Sequence, residues 1–244
     1  MADARTARAA KPPPIARPAP PPIPLPMRQL ILELMPEAAP SLDNFVIGGN
    51  GEALTGLAAW LAPENREPSL LLWGETGAGR THLLRASTAC YTDAAANPDL
   101  ANIGDNPVFH AVDNVEALSA RGQIALFNLF NRVRAAGTRL LASASLPPQQ
   151  LPLREDLRTR LGSGLIYRLQ ALTDAEKIAA LGAQAAARGL RLPPDALAYL
   201  FARAPRDMRS LAAFLVALDR YSLEHKRPIT LPLLREVLQT PLEI

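Results

Sequence analysis

Apolar and polar positions along the chain fall into two regimes. In the first, short apolar runs alternate with helical patterns. Ser69–Trp73 and residues 108–112, 139–144 and 165–169 are short, mainly apolar runs, the mark of buried strands. Between them, helices are expected at Gly51–Leu61, at 81–89 and at 121–135. In the last of these, Ile124, Phe127 and Phe130, or else Leu126 and Leu129, recur with Val133 at helical spacing, and Gly137 stops the helix. Strands alternating with helices predict an α/β fold with a parallel sheet. From Thr173 onward the pattern is helical only. Thr173-x-x-Glu176 is a capping box, Gly189 ends that helix, and further helices are expected at 194–204, 205–225 and 230–238. A small all-helical lobe therefore follows the α/β lobe. The expected boundaries are residues 1–40 for a tail, 41–171 for the α/β lobe and 172–244 for the helical lobe.

The first predicted strand leads into Gly74-Glu75-Thr76-Gly77-Ala78-Gly79-Arg80-Thr81, and a helical pattern follows. This is a phosphate-binding loop in a strand–loop–helix setting, with Arg80 where the motif has Lys. The glycines let backbone N–H groups converge, and the helix N-terminus adds its positive dipole end. Thr81 offers a hydroxyl to Mg²⁺. Arg80 is no copy of Lys, whose ammonium is a compact point charge, so nucleotide binding and hydrolysis are separate questions.

A phosphate loop also needs an acid at the tip of a neighbouring strand, and Asp113 supplies one for Mg²⁺. The alternative for Asp113 is a turn or helix-cap residue. Asn114 stands where related hydrolases place a second carboxylate, and an amide cannot act as a general base. Glu116, two residues on, could compensate only if the turn aimed it inward, and it reads as a solvated side chain. His110 lies inside a strand and reads as a core residue, and His82 covers the phosphate loop. The three histidines and Cys90 show no metal-ligand spacing.

Composition modifies this picture at the N-terminus. Of the 24 prolines, 11 lie in residues 1–40, and residues 11–26 are expected to be disordered or polyproline-like. Two readings stand for residues 1–26: a solvated tail, or an extension upstream of a true start at Met27. The net charge of +3 is local, since residues 1–28 carry +4 and the remainder −1. A near-neutral body gives no argument for a large nucleic-acid footprint. Gln29-Leu30-Ile31-Leu32-Glu33-Leu34 is an apolar peptide isolated by prolines, suited to docking or to an edge strand. The single cysteine, Cys90, excludes an intrachain disulfide and suits the cytoplasm. It reads as a small buried residue of an Ala-rich helical stretch.

Taken in order, these segments resemble the DnaA family of AAA+ proteins over about residues 29–240. Leu42-Asp43-Asn44-Phe45-Val46-Ile47-Gly48 with Asn50 resembles the leading segment that embraces the adenine. Gly74–Thr81 resembles the Walker A loop and 112–116 the Walker B strand. The Asn after Asp113 is like the Hda branch, the DnaA regulatory inactivators. Residues 138–141 and 147–151 resemble the sensor 1 strand and its loop. Residues 156–161 resemble the segment with the arginine finger, which implies that role for Arg160; unaided, spacing leaves Arg160 a surface arginine. Residues 207–211 resemble the sensor 2 helix and put Arg209 beside the phosphates, with Arg206 as the other candidate. Gln29, Leu30, Leu32 and Leu34 are similar to the peptide with which that branch binds the sliding clamp.

The resemblance implies an AAA+ nucleotide-binding lobe with a helical lid. It implies a cytoplasmic negative regulator of chromosomal DNA replication that binds ADP (or ATP) with Mg²⁺. Its implied partners are DnaA and the β subunit sliding clamp of DNA polymerase III; oligomeric state is left open, a homo-oligomer included. On this reading the chain is no enzyme itself but activates the ATPase of DnaA. The given sequence carries no DNA-binding helix-turn-helix after the lid, so direct sequence-specific DNA binding is not expected. Arg80, Asn114, Ser145-Leu146 in place of Asp-Arg, and a shortened or missing second strand all lead to an expectation of weak or no intrinsic hydrolysis. A self-sufficient P-loop ATPase, such as a helicase-loader-like motor, is the alternative, and a DNA-binding initiator fragment is a third.

Overall fold

The computed structural model describes residues 39–232 and 234, apart from 88–89, 102, 104–108, 194, 204–205 and 226–227. The Gln29–Leu34 peptide lies outside the described residues. So does most of the last expected helix, at 230–238.

Five parallel strands form one sheet: β1 Ser69–Trp73, β2 Cys90–Asp93, β3 His110–Asp113, β4 Leu140–Ala144 and β5 Leu165–Arg168, in the order β2-β3-β4-β1-β5. β1 is flanked by β4 (Ser69 opposite Leu140) and β5 (Leu70 opposite Leu165). The helices are α1 Gly51–Leu61, α2 Arg80–Ser87, α3 Ala120–Ala136, α4 Glu155–Leu161, α5 Asp174–Ala187, α6 Ala196–Arg203 and α7 Met208–His225.

The sheet is covered on both faces, which is why its central strands carry no polar alternation. Leu70 and Leu72 of β1 pack with Leu57 and Trp60 of α1 and with Leu83 and Leu84 of α2. Leu71 turns to the other face and joins Leu126, Leu129, Phe130 and Val133 of α3 and Leu157 and Leu161 of α4. Of the two stripes legible on α3, the one through Leu126 and Leu129 is buried, whereas Ile124 is 47% exposed. Gly137 closes α3 in the left-handed region at φ +67°, the conformation that favours glycine.

The helices after β5 build a separate core of their own, from Leu181 and Ala185 on α5, Leu200 on α6, and Leu211, Phe214, Leu215 and Leu218 on α7. The capping box at the head of α5 is present. The Thr173 hydroxyl accepts from the Glu176 amide at 3.2 Å, and the Glu176 carboxylate accepts from the Thr173 amide at 2.8 Å. At its other end Gly189 adopts φ +72°, and its amide donates to Ala186 while that of Leu190 donates to Ala185.

Residues 90–93 are a strand, so of the two expectations for the second strand the shortened one holds. Cys90 accordingly opens β2 and lies outside the helix that precedes it. The polar character of Cys90-Tyr91-Thr92-Asp93 concealed this strand. It is an edge strand with half-buried positions throughout, and parallel pairing with β3 holds it.

Arg139, just before β4, ties the two ends of the first half-fold together. Its guanidinium donates to the carbonyls of Trp60 (2.8 Å), Ala62 (2.7 Å) and Asn65 (3.0 Å) and lies 5.7 Å from the Trp60 ring centroid. A cation here satisfies carbonyls that the end of α1 leaves unpaired and complements the helix dipole. Arg139→Ala is expected to destabilise the fold by about 2–3 kcal/mol, measured by urea denaturation, with Arg139→Lys recovering only part because the donors of an ammonium radiate from one nitrogen whereas the guanidinium reaches these carbonyls from two.

Candidate functional site

The chemistry-bearing residues gather at the carboxyl ends of the strands, beside β1, where parallel sheets of this kind bind ligands. The loop after β1 has the backbone of an anion cradle. Gly77 and Gly79 take φ +86° and +91°. A Cβ on Gly74 would meet the Leu169 carbonyl oxygen at 2.2 Å, and one on Gly79 would meet the Phe45 ring at 2.6 Å. The loop is anchored by Gly74 N–H to Ala144 O (3.1 Å) and Ala78 N–H to Glu75 O (3.2 Å). The amides of Thr76, Gly77, Gly79 and Arg80 donate to no backbone oxygen of the described residues. Unpaired amides at a helix N-terminus suit a phosphate group.

The segment before α1 lies against this loop. Phe45 packs on Gly79 and on the His82 ring, whose Nε2 donates to the Ser41 carbonyl at 2.9 Å. Asn50 is buried and exchanges two hydrogen bonds with the backbone of Gln170, at 2.9 and 2.7 Å. It fastens the start of α1 to the chain leaving β5.

Asp113, at the end of β3, has no exposed surface. Its Oδ2 accepts from the Tyr91 hydroxyl at 2.8 Å. Its Oδ1 accepts from the Ser143 hydroxyl and from the Asn114 amide. This donor set fits a metal poorly, since each oxygen already serves a protein hydroxyl. Among the described residues no group of three or more His, Cys, Asp or Glu is arranged to hold an ion. Tyr91 and Ser143 carried no signal in the sequence, because their importance comes from strand register alone.

Asn114 sits in the left-handed region at φ +55°, which Asn tolerates better than most residues. Its Nδ2 donates to Asp93 Oδ1 at 3.0 Å and its amide to Ser143 Oγ at 3.1 Å. A carboxylate at this position would face Asp93, so the local charge favours the amide.

Glu116 departs from its expected solvated state. Its side chain is 23% exposed, Oε1 accepts from the Ser145 amide at 3.0 Å, and the same oxygen lies 3.6 Å from Arg80 Nη1. Arg80 is only 10% exposed. The short helical turn Val115–Ala117 aims the carboxylate at the phosphate loop. The Lys-to-Arg change in the loop was the sequence clue, because a longer cation reaches a more distant counter-ion.

Three other arginines lie farther along the chain. The Arg160 guanidinium, half-buried on α4, lies 5.8 Å from the Phe130 ring centroid and 5.9 Å from that of Phe127. No ion pair of Arg160 occurs among the described residues. Arg206 precedes α7 and pairs with Asp174 at 3.2 Å, so it is engaged at the head of α5. Arg209 is exposed in the first turn of α7.

Burial is the first cause that pushes the Tyr91 phenol up to about 12 from 10.0, followed by its hydrogen bond to Asp113 and the Asp113 charge. A raised folded-state value means that Tyr91 stabilises the fold fully below pH 10.0 and loses this contribution as pH rises toward about 12. Denaturant titrations at a series of pH values are expected to show a loss of stability across that window which Tyr91→Phe lacks.

Residues 174–238 match the family model of the Hda lid domain. Solved structures with the same fold include domain III of the Thermotoga maritima replication initiator DnaA. It is 19% identical over 84% of this chain and 98% of its own, with a TM-score of 0.65. AMPPCP-bound DnaA from Aquifex aeolicus is 20% identical over 80% of this chain and 71% of its own, with a TM-score of 0.57. The Thermotoga maritima RuvB branch migration motor is 16% identical over 82% and 71%, with a TM-score of 0.60. With its five-stranded parallel sheet followed by a segment that matches the Hda lid domain, the chain has the fold seen in DnaA domain III and in RuvB.

Proposed function

We propose that this protein is a negative regulator of replication initiation. It binds ADP at the Gly74–Thr81 loop and the sliding clamp through Gln29, Leu30, Leu32 and Leu34. It stimulates ATP hydrolysis by DnaA through Arg160. The observation that carries this reading is Asn114. The position where hydrolysis calls for a carboxylate holds an amide, and that amide is bonded to Asp93. The chain thus pairs an anion cradle with a site short of its base, as befits a partner's activator.

Arg160 supports the same reading, with a guanidinium set beside two phenylalanine rings and without a carboxylate partner among the described residues. Offered to a neighbouring nucleotide, it stabilises charge developing on the transferred phosphoryl group. In the chain's own site, loop amides bind the phosphates, Phe45 and His82 close the loop from one side, and Arg209 approaches from the lid.

One observation favours the alternative, a self-sufficient P-loop ATPase: Glu116 is a carboxylate aimed at the loop. The two readings separate in one assay, ATP hydrolysis by DnaA with this protein added, with and without clamp loaded on DNA. Stimulation dependent on loaded clamp is expected. Gln29→Ala with Leu30→Ala is expected to abolish the clamp dependence. Arg160→Ala is expected to bring stimulation to background, a finger contribution being about 10³–10⁵ in rate, while nucleotide binding stays unchanged. ATP turnover by this protein alone, lost in Glu116→Gln, would establish the motor instead.

A further inference from the structure

We infer that Glu116 makes this phosphate site select a nucleoside diphosphate over a triphosphate. The inference rests on the reading of Gly74–Thr81 as a phosphate loop and names the group that chooses its ligand. The residue at position 80 of such a loop is the cation that reaches the β- and γ-phosphates. Here that cation already has a counter-ion. Glu116 Oε1 stands 3.6 Å from Arg80 Nη1, too far for a hydrogen bond and close enough for strong attraction between two mostly buried charges.

The carboxylate cannot easily withdraw. Oε1 is held by the amide of Ser145, the residue after β4, and the short turn 115–117 carries the backbone behind it. Both partners also keep an unused polar atom. Arg80 Nη1 and Glu116 Oε2 are buried without a hydrogen-bond partner. An unpaired buried donor is costly, and an incoming phosphate oxygen satisfies it. An unpaired buried carboxylate oxygen offers a further phosphate only repulsion.

A diphosphate therefore gains the loop amides and the idle N–H of Arg80 with the ion pair intact. A triphosphate brings one more anionic group toward the same cation. It meets a charge already partly neutralised and a fixed carboxylate of its own sign. Selection follows from the charge of Glu116, since its shape and its hydrogen bond to Ser145 are shared by glutamine.

Glu116→Gln isolates that charge. The experiment is calorimetric titration of the full chain with ADP and with a non-hydrolysable ATP analogue, for wild type and for Glu116→Gln, each checked for an unchanged thermal midpoint. Wild type is expected to bind ADP at least about tenfold more tightly. The variant is expected to bring the two affinities within about threefold of each other, chiefly by tightening the analogue. A folded variant that binds both with the wild-type ratio overturns the inference and leaves the phosphate loop standing. A folded wild type that binds neither nucleotide overturns the loop reading, and this inference with it.

Discussion

A buried carboxylate holds the working edge of this sheet together. Asp113 on β3 receives the hydroxyl of Tyr91 from β2 and that of Ser143 from β4, so one side chain joins three neighbouring strand ends. An anion without solvent exposure is tolerable only when its oxygens are met by donors, and here the donors are the strands it must align. Asn114 extends the network to Asp93 and again to Ser143. The short polar strand β2 has little apolar area of its own to bury. This network and its parallel pairing with β3 explain how it keeps its place at the edge.

The same constraint shapes the chemistry. With Asp113 engaged on both oxygens and Asn114 bonded to Asp93, the residues at the end of β3 serve architecture first. Among the described residues, Glu116 is the carboxylate that turns toward the loop after β1, where it faces Arg80. A paired arginine differs from the solitary lysine of the motif, because part of its charge is already met by Glu116.

The helical lid stands on its own core, and the chain that leads into it is held against the segment before α1. Asn50 clasps Gln170 just after β5. Gly48 leaves room for Leu172, whose side chain a Cβ there would meet at 2.3 Å. Both connections sit on the chain between the lobes, a short path from the phosphate loop through Phe45 and His82. The lid, which matches the Hda model, is thus joined to the segment that covers the loop.

Local physics made much of this legible in the sequence. Continuous apolar runs marked β1 and β4, because a parallel strand covered on both faces has no polar side to show. The glycine spacing of residues 74–79 announced the tight turn after β1, because only glycine adopts φ near +90° without strain. The Thr173–Glu176 box and Gly189 bounded α5 through bonds within a few residues. What stayed hidden depends on contacts between residues far apart in the chain. β2 is a strand because β3 pairs with it, although its own residues are polar. Glu116 looked solvated because nothing within a few positions reveals that Arg80 lies across the site, 36 positions away in the chain and 3.6 Å away in space. Capping and backbone conformation act over one turn of chain and so are written in sequence. The partners of a buried charge are chosen by sheet register, and only the tertiary structure decides them.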